Sequence, residues 1–127
     1  HYEDEPRVSV DTSPDPYYCI EHGDTSLFFH HGHLKKIGEI EQAFISKFRD
    51  VYGRTSKSYG HVGHLHHKLA QESSLMVVEQ HQTLAAQDAY ASRHGYKAER
   101  SAQVITYHRD HGEVGRVRLT PEMVKAA

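Results

Sequence analysis

Apolar and polar positions alternate first at Arg7-Val8-Ser9-Val10, and the run stops at Asp11-Thr12-Ser13-Pro14-Asp15-Pro16. That pattern predicts a short strand followed by a turn. Residues 17–21 and 26–31 are two more strand-like runs, and His22-Gly23-Asp24 between them predicts a hairpin. The second run stops at Gly32. The period then changes: Ile37, Ile40, Phe44, Phe48 and Val51 recur at steps of three or four. One amphipathic helix ending before Gly53 is predicted, with its stripe facing a core. Residues 54–59 are polar and read as a loop, whereas residues 74–79 read as a buried strand. Residues 85–94 predict a short helix closed by Gly95. Residues 103–109 and 113–119 predict a hairpin turning on Asp110-His111-Gly112, with a frayed tail after Pro121. The expected order is β-β-β-α-(histidine loop)-β-α-β-β, a mixed α+β fold.

At 127 residues the chain is one domain's worth, read as a single unit over residues 1–127. Fifteen basic and seventeen acidic residues give a net charge of −2, so no strong field for polyanions is written in. The single cysteine, Cys19, excludes an intrachain disulfide and fits a reducing, cytoplasmic compartment. It lies in an apolar run and reads as a packed residue, not a nucleophile. No apolar stretch reaches the ~18 residues that a spanning helix needs, so no membrane association is expected.

Histidine is the outlier, at 13 of 127 residues. Two clusters hold most of the interest, Phe28-Phe29-His30-His31-Gly32-His33 and Gly60-His61-Val62-Gly63-His64-Leu65-His66-His67. The first ends an apolar run, and glycine lies within both. Gly32, Gly60 and Gly63 allow tight backbone turns, so imidazoles from separate segments can converge. Neutral imidazole is a ligand suited to zinc, iron, copper and nickel. His22, His81, His94, His108 and His111 stand apart and read as surface or hydrogen-bonded structure. His30, His61 and His67 flank the clusters and are expected to support them.

His31-Gly32 at the end of an apolar strand, then a helix, then Gly63-His64-Leu65-His66, then a buried strand, resembles the closing pair of ligand motifs of the calcineurin-like metallophosphoesterases. Asp4-Glu5-Pro6-Arg7-Val8-Ser9-Val10-Asp11, Thr83-Leu84-Ala85-Ala86-Gln87-Asp88-Ala89-Tyr90 and His94-Gly95-Tyr96 are similar to a phage and bacterial branch of that family. The resemblance runs from about residue 2 to residue 121. It implies half of a β-sandwich flanked by helices, and hydrolysis of a phosphomonoester or phosphodiester at a binuclear centre. Its two divalent ions would be manganese, iron or zinc. His31 and His64 would bind one ion and His66 its neighbour. His33 would touch the substrate phosphate or relay a proton, with His30 and His67 standing behind the ligands. The substrate class it implies is a phosphate ester, with nucleic acid or a nucleotide favoured by the phage-like branch.

The family's other ligand motifs, D-x-H, G-D-x-x-D and G-N-H-[DE], do not occur in this chain. The expectation is therefore a C-terminal half-domain, with an apolar face that self-association or a partner covers, and no activity in isolation. Two other readings stay open. One is a mononuclear zinc hydrolase with His31, His64 and His66 as its three ligands. The other is a histidine-rich metal-binding or interaction module without catalysis.

Overall fold

The computed structural model describes residues 1–32, 36–63, 69–85 and 100–125. Strands β1 (Tyr17–His22), β2 (Thr25–His30), β3 (Lys57–Val62), β4 (Leu69–Glu72) and β5 (Val77–Gln80) form a mixed sheet in the order β1-β2-β3-β5-β4. The inner strands β2, β3 and β5 run parallel, while β1 and β4 close the edges antiparallel. Strands β6 (Ala102–His108) and β7 (Gly112–Leu119) make a separate two-stranded hairpin. The α+β expectation is met among the described residues.

Period-two geometry gives the sheet two distinct faces. Phe28, Gly60 and Val78 are aligned across β2, β3 and β5 and point to the helical side. There they meet α1 (Ile37–Lys47), whose buried Ile37, Ile40 and Phe44 complete the core with Val62 and Met76. Phe28 and Phe44 stack with ring centroids 5.5 Å apart. The helix reads through its sequence as one stripe, but it breaks at Phe48 (φ −116°, ψ 42°) and resumes as α2 (Arg49–Arg54). The stripe survives the break because Tyr52 N–H still donates to Phe48 O at 2.9 Å.

The opposite face carries Thr25, Tyr59, His61 and Glu79, and the β6–β7 hairpin lies across it. Thr25 Oγ1 donates to the carbonyl of His108 at 2.8 Å, and the N–H of Glu113 donates to Tyr59 Oη at 3.1 Å. The outer side of this hairpin leaves Val104, Val117 and Leu119 exposed.

Several expectations are corrected here. Residues 7–10 form no strand: the Glu5 carboxylate holds Arg7, Val8 N–H bonds back to Glu5 O, and Val8 and Val10 are exposed. Residues 54–59 are not a loop, since they supply the end of α2 and the first half of the central strand β3. Gly60 makes no turn. It sits inside β3 because a Cβ there would lie 2.9 Å from the Phe44 ring and 3.2 Å from Val78. The stretch after Pro121 is not frayed but a short exposed helix, α3 (Pro121–Lys125). Both expected hairpins are present, turning at Gly23 (φ 60°) and Gly112 (φ 73°). Residues 86–94 of the expected second helix lie outside the described residues. No helix among the described residues is long and apolar enough to cross a membrane.

Candidate metal site

β2 and β3 are parallel neighbours, so their C-terminal ends emerge side by side, with His30 in register with Val62. The next residues, His31-Gly32 and Gly63, touch through the backbone: Gly63 N–H donates to the carbonyl of His31 at 3.0 Å. Gly32 adopts φ +98°, and a Cβ on it would stand 2.6 Å from the carbonyl oxygen of Gly63. Only glycine fits that crossing without strain. His30 is buried beneath it. Its Nδ1 accepts the N–H of Gly32 at 2.8 Å, and its ring stacks on Tyr17 at 4.4 Å. His30 thus braces the turn that follows β2. His31 itself is exposed at the strand end. His33, His64, His66 and His67 lie outside the described residues.

A second group forms one residue back along β3. His61 points to the hairpin side, in register with Glu79 on β5, and His81 follows two residues after Glu79 on the same side. His61 Nδ1 and His81 Nε2 are 2.8 Å apart, and the rings stack at 5.0 Å. Tyr107 of β6 places its Oη 2.7 Å from His61 Nε2. Glu79 is buried, and Arg116 of β7 grips both its oxygens at 2.5 and 2.7 Å. Arg116 also donates to Glu113 at 2.7 Å. Bidentate pairing of this kind gives geometric specificity as well as energy. The ligating atoms of His61, Glu79 and His81 all lie within 4.8 Å of one another.

Glu79 Oε2 lies 3.9 Å from His81 Nδ1, so its charge favours a proton on that nitrogen. His81 Nε2 then accepts from His61 Nδ1–H, and Tyr107 donates its hydroxyl proton to His61 Nε2. Burial drives the His61 imidazole down to a pKa of about 4; His81 and Arg116 add to the effect, while Glu79 and Glu113 oppose it. Burial likewise pushes the Tyr107 hydroxyl upward, reinforced by Glu113. Burial would raise the Glu79 carboxyl as well, but the Arg116 hydrogen bond together with the nearby charges of His81, Arg116 and His61 outweighs it and holds the group below its ordinary range. All three groups therefore keep one defined protonation state near neutrality.

His31, Gly63, His61 and His81 line one open cleft, so the strand-end junction and the His61 group are neighbours. Sequence reading set His61 among the flanking histidines and His81 among the isolated ones. The carboxylate beside them is Glu79, brought in from β5. The spacing of Glu79 and His81 on one strand face was an available signal, but β3 had to be recognised as the neighbouring strand to use it. Cys19 is half-buried against the core, and burial, with Glu21, pushes its thiol up to about 11, which fits a packed residue and not a nucleophile.

Comparison of the chain with protein-family models, with curated proteins and with solved structures gives no match.

Proposed function

We propose that this chain is part of a metal-dependent phosphoesterase that hydrolyses a phosphomonoester or phosphodiester at a binuclear centre. The supporting observation is the contact between Gly63 N–H and His31 O, which joins the ends of two parallel strands. H-G ends one of those strands, and G-H-x-H begins at the end of the other. Functional side chains sit where a rigid strand gives way to a loop, at the carboxyl ends of parallel strands. The half-sandwich that the resemblance implies is the proposed architecture around them.

The donor set suits the ions. His31 and His64 would hold one and His66 the other, each through a neutral imidazole nitrogen. Two such ions supply polarisation of the phosphoryl group and a hydroxide at neutral pH. His33, two residues past His31, would touch the substrate phosphate or relay a proton. His30 keeps the Gly32 turn in place, and His67 flanks His66. Three neutral imidazoles leave the ions' charge uncompensated, so the carboxylates must come from D-x-H, G-D-x-x-D and G-N-H-[DE] segments that this chain does not contain. Nucleic acid or a nucleotide is the proposed substrate class, and a cytoplasmic setting is proposed from the single cysteine.

Reading the coding sequence upstream of His1 tests the proposal. A G-N-H-[DE] segment in the same frame is expected. A start codon directly before His1, with no such segment on a partner chain, would overturn it.

A further inference from the structure

We propose a separate metal site at His61, Glu79 and His81, taking a zinc-like divalent cation. It uses none of His31, His64 and His66, and it stands whether or not the chain hydrolyses phosphate esters.

Geometry is the first support. Two imidazole nitrogens already face each other at 2.8 Å, and the carboxylate completes a trio within 4.8 Å. Ligand atoms around a tetrahedral zinc at about 2.0–2.1 Å stand roughly 3.3 Å apart, so the two rings need to part by only about half an ångström. Two histidines and a glutamate with an open fourth position form a donor set that zinc accepts.

Charge is the second. Glu79 and Glu113 share the cation of Arg116, so the two carboxylates and the guanidinium carry one net negative charge beside the two imidazoles. Arg116 takes one lone pair from each Glu79 oxygen, and each oxygen keeps another for an ion.

The outer contacts are the third. Coordination through His61 Nδ1 moves its ring proton to Nε2, which then donates to Tyr107 Oη at the distance already present, 2.7 Å. A hydrogen bond to the second ring nitrogen is what holds a ligating histidine in its tautomer and orientation. No proton leaves the site in this exchange.

The test is a zinc titration of the 127-residue chain, followed by histidine ring NMR and by competition with a chromophoric chelator. The ring nitrogens of His61 and His81 are expected to shift with the tightest equivalent of zinc. His81→Gln and, separately, Glu79→Gln should weaken that equivalent by about tenfold or more, whereas His31→Ala should leave it unchanged. The wild-type spectra need no variant, so a misfolded substitution does not remove the test. Tightest binding that shifts other histidines while His61 and His81 keep their resonances would overturn the proposal. So would a folded His81→Gln chain that binds zinc as the wild type does.

Discussion

Gly63 donates its backbone N–H to the carbonyl of His31 at 3.0 Å, and this one bond ties together the carboxyl ends of β2 and β3. Gly32 lies under it at φ +98°, with no room for a Cβ against the Gly63 carbonyl. Gly32→Ala should therefore destabilise the chain by about 2 kcal/mol or more. Gly38→Ala, on an open face of α1, should instead stabilise it by about 0.5–1 kcal/mol, because alanine favours helix. Urea denaturation of the two variants checks the opposite signs. Equal destabilisation would contradict the strained crossing.

Gly60 tests the core beneath that crossing. A methyl group there would meet the Phe44 ring at 2.9 Å, and Phe44 is fully buried against Phe28 and Ile40 with nowhere to retreat. Gly60→Ala should cost about 1–3 kcal/mol through overpacking. Adding Phe44→Leu should recover part of that loss, giving a non-additive double-mutant cycle. Strict additivity in denaturant melts would show that the two residues do not compete for this space.

Elements were legible where the local pattern and the tertiary environment agree. β1, β2, β6 and β7 were readable because each pair is joined by a turn with its own signal, and α1 because its stripe faces one core. β3 was not, since Lys57, Tyr59 and His61 meet the hairpin and Gly60 replaces an apolar residue under Phe44. Its alternation is real, but its partners are polar or absent. Residues 7–10 show the reverse case: a strand-like alternation with no strand beside it among the described residues. The Glu5–Arg7 contact turns it away instead. The His61–Glu79–His81 group was hidden for the same reason as β3, because it exists only once β3 and β5 are paired.

His61 should make stability depend on pH. In the unfolded chain it takes up a proton near its ordinary 6.5, but in the folded chain it resists protonation down to about 4. Between those values the unfolded state binds more protons, so stability is full above 6.5 and falls as pH drops towards 4. Integrated across that window, the difference is worth roughly 3 kcal/mol at most. Thermal melts with chelator present should show a shallower slope across that window for His61→Gln than for the wild type. Identical slopes would mean that His61 does not stay neutral in the fold.

Arg116 should be a clasp for the hairpin. Arg116→Ala leaves the buried Glu79 carboxylate without its cation; because Arg116 is partly exposed, the loss should be about 1.5–3 kcal/mol. The double variant Arg116→Ala with Glu79→Gln should regain part of the loss, since no uncompensated charge remains. Hydrogen exchange of the β6–β7 amides reads the effect. Unchanged protection in Arg116→Ala would show that the pair does not anchor the hairpin.

Turnover is the most direct measure of the phosphoesterase reading. The whole protein in which this chain occurs would be assayed with manganese and a simple phosphodiester, alongside metal stoichiometry. If the proposed reading holds, His64→Ala and His66→Ala should each lose an ion and all activity, since each would then remove a direct ligand. On the same reading, His33→Ala should keep its metal but turn over about 10²–10⁴-fold more slowly, the loss expected for a group near the phosphoryl oxygens. His111→Ala, in the turn between β6 and β7, should match the wild type. Full activity with both ions retained in His64→Ala would contradict the account.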